Sequence, residues 1–441
     1  MILKPSKSLV ETVSFSSSLL LRSLELQATC RGPQHSKART QRKKLYMYTF
    51  HQDETCQNNN SSRLFSTKSS SSLNVSGSST RRIVDLRSDT VTSPSYDMLQ
   101  TSLRAKTGDD VMGEDPTIQE LEQYMAHLCD KEYGLYVPTS TMANLIAIMA
   151  HCNRRSAEIL MGAHSHTALW EAGNASGLAG VFPKFMNEDI FTGRCDVQQI
   201  RDLTNLDDHD VHVCQTQLLC LENTHNMLGG IALPVEYMNE IGSLCRNELL
   251  NLPIHLDGAR ICNAAIALNV SVQELCQPVN TVAICLSKGL GAPLGSVLVG
   301  DKEIIRLAKR ARKRCGGGMR QAGVVAAMGL YAIQNNYNRL VDDHVRAQRL
   351  AQTLAENGFR LIRNGKVDTN IVYFQLPDDT ANRNLKVTKQ DFCTRLLKDH
   401  GVKVTGGYSS GGNYFRAVTH LDVNDDDVDR AAQAMVQLCY Q

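Results

Sequence analysis

The chain of 441 residues is 42% apolar and carries 47 Lys and Arg against 45 Asp and Glu, so its formal net charge is +2. At roughly 100–200 residues per domain, that length predicts two or three domains with enough apolar side chains for a sizeable core. The longest apolar stretch, residues 323–333, is shorter than the ~20 residues of a membrane-spanning helix, and the acidic balance of residues 83–441 disfavours a nucleic-acid-binding enzyme.

Residues 1–82 are typical of a targeting leader. They hold 13 basic against 4 acidic side chains, a net charge of +9, whereas the remaining 359 residues carry −7. Eighteen of the 82 are serine, and basic residues recur from Lys4 to the cluster Arg42-Lys43-Lys44. Such a segment buries too little apolar surface to fold, and its composition is that of an organellar transit peptide. We therefore predict a disordered leader that directs the protein to mitochondria. The alternative is a disordered tail that carries no targeting signal, with the protein in the cytoplasm.

Short apolar runs alternate with amphipathic stretches from Ile83 onward. The predicted strands are residues 134–137, 158–161, 217–221, 254–256, 281–286 and 296–299. The predicted helices between them are residues 116–128, 143–152, 234–247 and 272–277. Because this alternation is typical of βαβ units, we expect an α/β fold with a mostly parallel sheet that helices cover on both faces.

The pattern changes after about Asn336. A long predicted helix at residues 341–357 is followed by predicted strands near 371–375 and 414–418, with one helix between them and another at the end. These elements predict a smaller α/β domain. We therefore assign residues 83–335 to a large domain and residues 336–441 to a small C-terminal domain.

Fourteen cysteines lie between Cys30 and Cys439, without a C-x-x-C pair or a Cys/His spacing suited to zinc. Most have apolar neighbours, as Cys220 and Cys285 do. The pattern predicts reduced core thiols in a matrix-like or cytosolic compartment, with neither a disulfide framework nor a metal site.

Two predicted strands end in groups that suit one cofactor. The strand at 254–256 is followed by Asp257-Gly258-Ala259-Arg260, and the strand at 281–286 by Ser287-Lys288-Gly289. Functional groups of α/β sheets collect where strands end, and a lysine beside an acid suits pyridoxal phosphate. The lysine forms a Schiff base with the aldehyde, and the acid pairs with the pyridinium nitrogen. Each residue alone is more often a turn acid or a solvated lysine, and Arg260 could reach a phosphate or the phenolate oxygen.

Further candidates lie near other predicted strand ends. Thr139-Ser140-Thr141 stands before a predicted helix, where hydroxyls and amides bind phosphate, although a plain helix cap is the commoner outcome. His164, His166 and His225 could stack on a pyridine ring or transfer a proton. Taken singly, each of these histidines is more often only hydrogen-bonded.

Six blocks of the sequence, in family order, resemble the low-specificity L-threonine aldolases. The blocks are Asp85-Leu86-Arg87-Ser88-Asp89-Thr90-Val91-Thr92, residues 108–117, Glu222-Asn223-Thr224-His225-Asn226, residues 255–260, residues 286–296 and Gly316-Gly317-Gly318-Met319-Arg320-Gln321-Ala322-Gly323. They extend over some four-fifths of the chain. The resemblance implies a fold-type-I, aminotransferase-like enzyme that uses pyridoxal 5'-phosphate to cleave L-threonine and L-allo-threonine into glycine and acetaldehyde.

The resemblance also implies which residues hold the cofactor in the large domain. Lys288 would form the Schiff base, Asp257 would pair with the pyridine nitrogen, and Arg260 would contact the cofactor nearby. His166 would stack on the ring. As the residue that forms the Schiff base, Lys288 would be catalytic.

The phosphate would be held by Thr141 together with the backbone at Ser140. The family motif is usually Ser-Gly-Thr, so Ser140 adds a side chain where glycine has none, and that side chain either hinders the phosphate or adds a hydrogen bond. A second departure is Met112, where many relatives carry tyrosine near the substrate.

Substrate binding and proton transfer complete the implied site. Ser88 and Arg416 would hold the substrate carboxylate, since a guanidinium binds a carboxylate bidentately. Arg320 would enter the site from a neighbouring subunit of a homotetramer. His166 and His225 are both candidates for the base that takes the β-hydroxyl proton, directly or through water.

Two other functions remain open from the sequence. A protein of the same fold could catalyse β-elimination or racemisation of β-hydroxy amino acids, and elimination would release a 2-oxo acid. Alternatively, the departures at Ser140 and Met112 would suit a non-catalytic homologue. That homologue would serve as a binding or structural subunit. For the enzyme we expect an amino-acid substrate, and neither nucleic acid nor membrane as a partner.

Overall fold

The computed structural model describes residues 82–207, 209–377, 385–408 and 414–440, so the leader predicted over residues 1–82 lies outside the described residues except for Arg82. The strands are β1 (Val84–Asp85), β2 (Tyr133–Val137), β3 (Ala157–Gly162), β4 (Phe182–Met186), β5 (Gln215–Glu222), β6 (Ile254–Asp257), β7 (Thr281–Cys285), β8 (Ser296–Gly300), β9 (Arg360–Leu361), β10 (Ile371–Gln375), β11 (Val402–Lys403), β12 (Thr405–Tyr408) and β13 (Tyr414–Val418). The helices are α1 (Tyr96–Arg104), α2 (Pro116–Leu128), α3 (Ser140–His151), α4 (His166–Leu169), α5 (Val197–Leu203), α6 (Val235–Asn247), α7 (Ile261–Leu268), α8 (Val272–Cys276), α9 (Lys302–Arg314), α10 (Gly323–Asn336), α11 (Leu340–Glu356), α12 (Phe392–His400) and α13 (Asp425–Tyr440).

The larger sheet of the described chain has the strand order β2-β8-β7-β6-β5-β3-β4. The pairs from β7 to β4 are parallel, whereas β8 runs antiparallel to both β2 and β7. Every residue of β3, β7 and β8 is buried, which is the pattern of a sheet covered on both faces. The prediction of a mostly parallel α/β sheet is therefore confirmed.

Two of the elements that the sequence pattern missed are the strand β4 and the helix α9. The edge strand β4, with the sequence FPKFM, has one fully buried residue, so it lacks the continuous apolar run of the central strands. Helix α9 is dominated by Lys and Arg and buries four side chains. Both elements lie at the margin of the core, where burial imposes little periodicity on the sequence.

The smaller sheet has the order β12-β13-β10-β9, with antiparallel pairing throughout. Its core packs Phe374, Phe392 and Phe415 together, with the rings of Phe392 and Phe415 4.7 Å apart. Strand β1 pairs in parallel with β11, which brings the start of the described chain beside this C-terminal layer. The division at residues 335 and 336 stays a prediction.

The described residues can also be compared with the predictions on membrane-spanning helices and cysteines. Within the four described ranges, no helix combines the length and the apolar content needed to cross a membrane. The cysteines of these ranges carry free thiols, most of them buried. Burial raises the pKa of Cys152 and of Cys245 to about 12, so these thiols are unreactive at neutral pH.

Candidate active site

A cavity of about 280 Å³ lies where the carboxyl ends of β5, β6 and β7 meet β13 of the smaller sheet. Predicted site residues from distant parts of the sequence line it together: Ser88, His166, Asp257, Arg260, Lys288 and Arg416. Asp257 is the last residue of β6, and Lys288 lies three residues beyond β7. Because β6 and β7 are parallel neighbours, the acid and the lysine reach the same edge of the sheet.

Hydrogen bonds fix the carboxylate of Asp257. Its Oδ2 accepts from Asn144 Nδ2 at 2.9 Å, and its Oδ1 accepts from the backbone N–H of Ala259 at 3.1 Å. The Asn144 amide also donates to Glu171 Oε1 at 2.8 Å, and that oxygen lies 3.1 Å from His166 Nδ1. Atoms of His166, Glu171 and Asp257 that could ligate a metal lie within 4.8 Å of one another, but each group already has a protein partner. Asn144 therefore joins the strand-end acid to the histidine of the cavity wall.

A buried histidine orients the Asn144 amide from behind. Asn144 Oδ1 lies 3.1 Å from His255 Nε2, and His255 Nδ1 lies 2.9 Å from Thr281 Oγ1. Burial lowers the pKa of His255 to about 3, so its ring is neutral near pH 7. Because a carbonyl oxygen can only accept, His255 Nε2 donates to Asn144 and His255 Nδ1 accepts from the Thr281 hydroxyl.

Arg260 forms a bidentate ion pair with Asp89 beneath the cavity. Its Nε and Nη2 donate to the two carboxylate oxygens at 2.8 and 2.6 Å, and both side chains are buried. Burial alone would raise the pKa of Asp89, but the charge and hydrogen bonds of Arg260 hold that pKa well below its usual range. Asn370 donates to the same carboxylate at 3.3 Å. Arg260 follows β6 of the large sheet, Asn370 precedes β10 of the smaller sheet, and Asp89 lies near the start of the described chain. These hydrogen bonds therefore connect the three regions.

Arg416 and Ser88 lie on the same side of the cavity. The Arg416 guanidinium, on β13, donates to Asn226 Oδ1 and to the backbone oxygen of Arg87, each at 3.0 Å. Ser88 caps a short 3₁₀ turn, Asp89–Val91, and accepts from the backbone N–H of Thr90 at 3.3 Å. The cation is therefore held in place by the protein, with little side-chain entropy left to lose on binding an anion.

His166 begins the short helix α4 and is anchored by two carboxylates. Its backbone N–H donates to Glu222 Oε2 at 2.6 Å, and its ring contacts Glu171. Burial opposes the charged ring, but the hydrogen bond that the ring donates to Glu171 and the charge of Asp257 outweigh it and raise the pKa of His166. Burial also raises the pKa of Glu222, which lines the cavity.

Other predicted residues do not line this cavity: Ser140, Thr141, His225 and Arg320. Ser140 and Thr141 start helix α3, where Thr139 is the N-cap and accepts from the backbone N–H of Met142. The Ser140 hydroxyl is buried and has no hydrogen-bond partner in the described part of the chain. His225 is buried beside Glu188.

Arg320 lies on an exposed edge of the protein. Its side chain is 60% exposed and donates to Asp109 Oδ2 at 2.6 Å. Asp109 Oδ1 also accepts from the backbone N–H of Met112, whose side chain is 71% exposed. Arg320, which precedes α10, and Met112, which lies between α1 and α2, therefore both contact Asp109 on the exterior of the protein.

Sequence reasoning missed several groups of the site. Asp89 and Glu222 lie inside blocks that carry the family resemblance, so the blocks themselves were the signal. Trp170 lines the cavity and is the single tryptophan of the chain, a weak hint. Asn144 and Glu171 left no local signal, because their importance depends on contacts with residues far away in the sequence.

Comparisons with known proteins identify relatives over most of the chain. The family model described as Beta-eliminating lyase matches residues 85–377. The chain is 39% identical to Low-specificity L-threonine aldolase 1 of Arabidopsis thaliana, covering 79% of this chain and 94% of that one. It is also 39% identical to the Low specificity L-threonine aldolase of Escherichia coli K12, covering 79% and 97%. A solved structure of Leishmania major threonine aldolase shares the fold, with a TM-score of 0.66, 17% identity, and coverage of 80% and 99%.

Proposed function

Because this chain belongs to the low-specificity L-threonine aldolase family of lyases, we propose that it cleaves L-threonine and L-allo-threonine into glycine and acetaldehyde with pyridoxal 5'-phosphate. The observation that carries the proposal is the cavity shared by Lys288, Asp257 and Arg416. An amine for an aldehyde, a carboxylate for a pyridine nitrogen and a guanidinium for a substrate carboxylate are the groups that this reaction needs.

The donor set fits pyridoxal phosphate. Lys288 would bond to its aldehyde, Asp257 would face its ring nitrogen, and His166 would stack on its ring. The buried Ser140 hydroxyl, which has no partner within the described ranges, stands at the start of α3, where a phosphate is favoured by backbone N–H groups and the helix dipole. When bound, the cofactor supplies an acceptor for the electron pair released as the Cα–Cβ bond breaks.

Arg416 and Ser88 would orient the substrate by its carboxylate. Arg416 is positioned by Asn226 and the Arg87 carbonyl, and its planar guanidinium can add a bidentate contact to a carboxylate. Fixing the carboxylate would also fix the orientation of Cα, and so which of its bonds is cleaved.

His166 is the histidine that can contact the substrate directly. Its Nδ1 faces Glu171, which leaves Nε2 to accept the β-hydroxyl proton when the ring is neutral. His225 does not line the cavity, so it would act on the substrate only through water. Cleavage takes one proton from the hydroxyl and returns one to Cα, so the reaction as a whole consumes none.

We also propose that the active protein is a homotetramer with sites at subunit interfaces. The support is that Arg320 and Met112 are exposed, both contact Asp109, and do not line the cavity of their own chain. In the tetramer, this exposed surface would lie against the cavity of a neighbouring subunit. The mitochondrial location remains a proposal that rests on the composition of residues 1–82 alone.

Product analysis tests the proposed function. Purified protein with added cofactor should release glycine and acetaldehyde from L-threonine and L-allo-threonine, and should show the visible absorption of bound cofactor. The description of the matching family model favours β-elimination as a second candidate, and that reaction would yield a 2-oxo acid. A protein that remains colourless and inert with every β-hydroxy amino acid would favour the non-catalytic alternative.

A further inference from the structure

A buried carboxylate outside the cavity contacts two histidines. Glu188 follows β4, and its Oε1 lies 2.6 Å from His225 Nε2. Its Oε2 accepts from the backbone N–H of His164 at 2.7 Å and lies 3.2 Å from His164 Nδ1. The side chains of Glu188 and His225 are almost fully buried, whereas that of His164 is 30% exposed. No step of the reaction described above uses Glu188, and a buried carboxylate is costly unless it is paired.

Gly162 provides the space for this carboxylate. A Cβ atom at Gly162 would lie 1.8 Å from Glu188 Oε1, closer than any two nonbonded atoms can approach. The backbone of Gly162 is outside the left-handed region, so the glycine serves space and not conformation. Gly162 ends β3 and pairs with Met186 at the end of β4, so the register of the sheet places the glycine beside the segment that carries Glu188.

The contacts leave His225 with one ring atom for other partners. Nε2 faces Glu188, while Nδ1 is buried without a hydrogen-bond partner among the described residues. The neighbours of His225 along the chain, Thr224 and Asn226, both line the cavity. With Nε2 taken by Glu188, Nδ1 is the ring nitrogen left for proton exchange, and His225 stands in the chain between two residues of the cavity wall.

Acidic groups on three elements face His225. They are Glu222 at the end of β5, Glu188 after β4 and Asp257 at the end of β6. Burial opposes the charged ring, but Glu222 and Glu188 outweigh it and raise the pKa of His225. Burial would likewise raise the pKa of Glu188, yet the hydrogen bond and charge of His225 lower it. The Glu188 carboxylate therefore favours the protonated form of the His225 imidazole.

We propose that Glu188 is a positioning residue for threonine cleavage, which fixes the ring of His225 through Nε2 and leaves Nδ1 for proton exchange with the cavity. This inference rests on the proposed function. His164 binds the second carboxylate oxygen and so prevents Glu188 from rotating away. His225 is then a second histidine, in addition to His166, that can take up or release a proton during the reaction.

Glu188→Gln tests the proposal, because the amide keeps the volume of the side chain and removes its charge. We expect kcat for threonine to fall about 10-fold or more, and the midpoint of its pH profile to move down by about one unit or more. The ring titration of His225, followed by NMR of histidine-labelled protein, should move in the same direction. Glu248→Gln, at an exposed ion pair with Arg201, is the matched control and should change neither quantity.

Two further variants keep the test decisive. In a His225→Asn background, Glu188→Gln should cause no additional loss, whereas multiplying losses would overturn the proposal. Gly162→Ala should displace the carboxylate and reproduce the pH shift, which also covers a Glu188→Gln protein that does not fold. Unchanged pH midpoints and an unchanged His225 titration would overturn the inference. If the wild-type protein released no glycine, the proposed function would fail, while the titration would still report on the Glu188 contact.

Discussion

Two regions of this protein carry the family blocks, and they are built in different ways. In the cavity, Asp89 and Arg260 form a buried, bidentate pair that joins residues 171 positions apart. On the exposed edge, Asp109 and Arg320 form a pair whose arginine is 60% exposed. A buried pair requires its geometry to be maintained by the fold, whereas an exposed pair is screened and readily exchanged. The residues that line the cavity are thus held by buried contacts within the chain, whereas the exposed edge is where the proposed neighbouring subunit would bind.

The largest effect is expected at the centre of the cavity. Lys288→Ala removes the amine that would hold the cofactor, so threonine cleavage should fall by more than about 10³-fold. The visible absorption of bound cofactor should disappear, while the chain should remain folded. Lys309→Ala, on the charged face of α9, is the control and should keep both activity and colour. Substantial cleavage by folded Lys288→Ala protein would refute the assignment of this lysine.

The two ion pairs can be compared directly by matched substitutions. Asp89→Asn leaves the Arg260 charge buried without its partner and should lower the free energy of unfolding by about 3–5 kcal/mol. Asp109→Asn removes an exposed partner, and its cost should be below about 1 kcal/mol. Thermal unfolding of both variants measures the difference. Equal shifts in melting temperature would contradict the contrast between the two regions.

Sequence reasoning succeeded for features that short stretches encode. The central strands are short apolar runs, Asp257 is the last residue of one and Lys288 lies three residues beyond the next, so both the parallel sheet and the meeting of these two residues could be predicted. The adjacency of β6 and β7 then followed from the rules for parallel sheets.

Long-range polar contacts could not be predicted in this way. Asn144 binds Asp257 across 113 residues, and Glu188 binds His225 across 37. Apolar periodicity reports which face of an element is buried, but it does not report which polar groups pair once the elements pack. For the same reason the sequence left both histidines open as bases, although their surroundings differ.

The exposed edge offers a test in which two variants are mixed. If Arg320 completes a neighbour's site, Arg320→Ala should reduce cofactor affinity or activity by roughly 10–100-fold without lowering the stability of the chain. Co-assembly of Arg320→Ala with Lys288→Ala should restore part of the activity, because some hybrid sites combine an intact lysine with a neighbour's intact arginine. A mixture of Asp257→Asn with Lys288→Ala should regain nothing, since both residues line one cavity. If the first mixture regained no activity, Arg320 would not contribute to the site of a neighbouring subunit.

Substitutions at Ser140 test whether a residue of the same chain binds the phosphate of the cofactor. The effect expected here is the smallest of the four. Its buried hydroxyl has no partner within the described chain, so in the absence of cofactor it stabilises nothing. Ser140→Ala should therefore leave the melting temperature of the cofactor-free protein unchanged or slightly higher, while weakening cofactor binding about 5-fold through one lost hydrogen bond. Ser140→Gly restores the family motif but places glycine in the first turn of α3, and should lower stability by roughly 0.5–1 kcal/mol. If titration with cofactor gives equal affinities for wild-type and Ser140→Ala protein, the hydroxyl does not bind the phosphate, and the backbone of α3 is left as the contact.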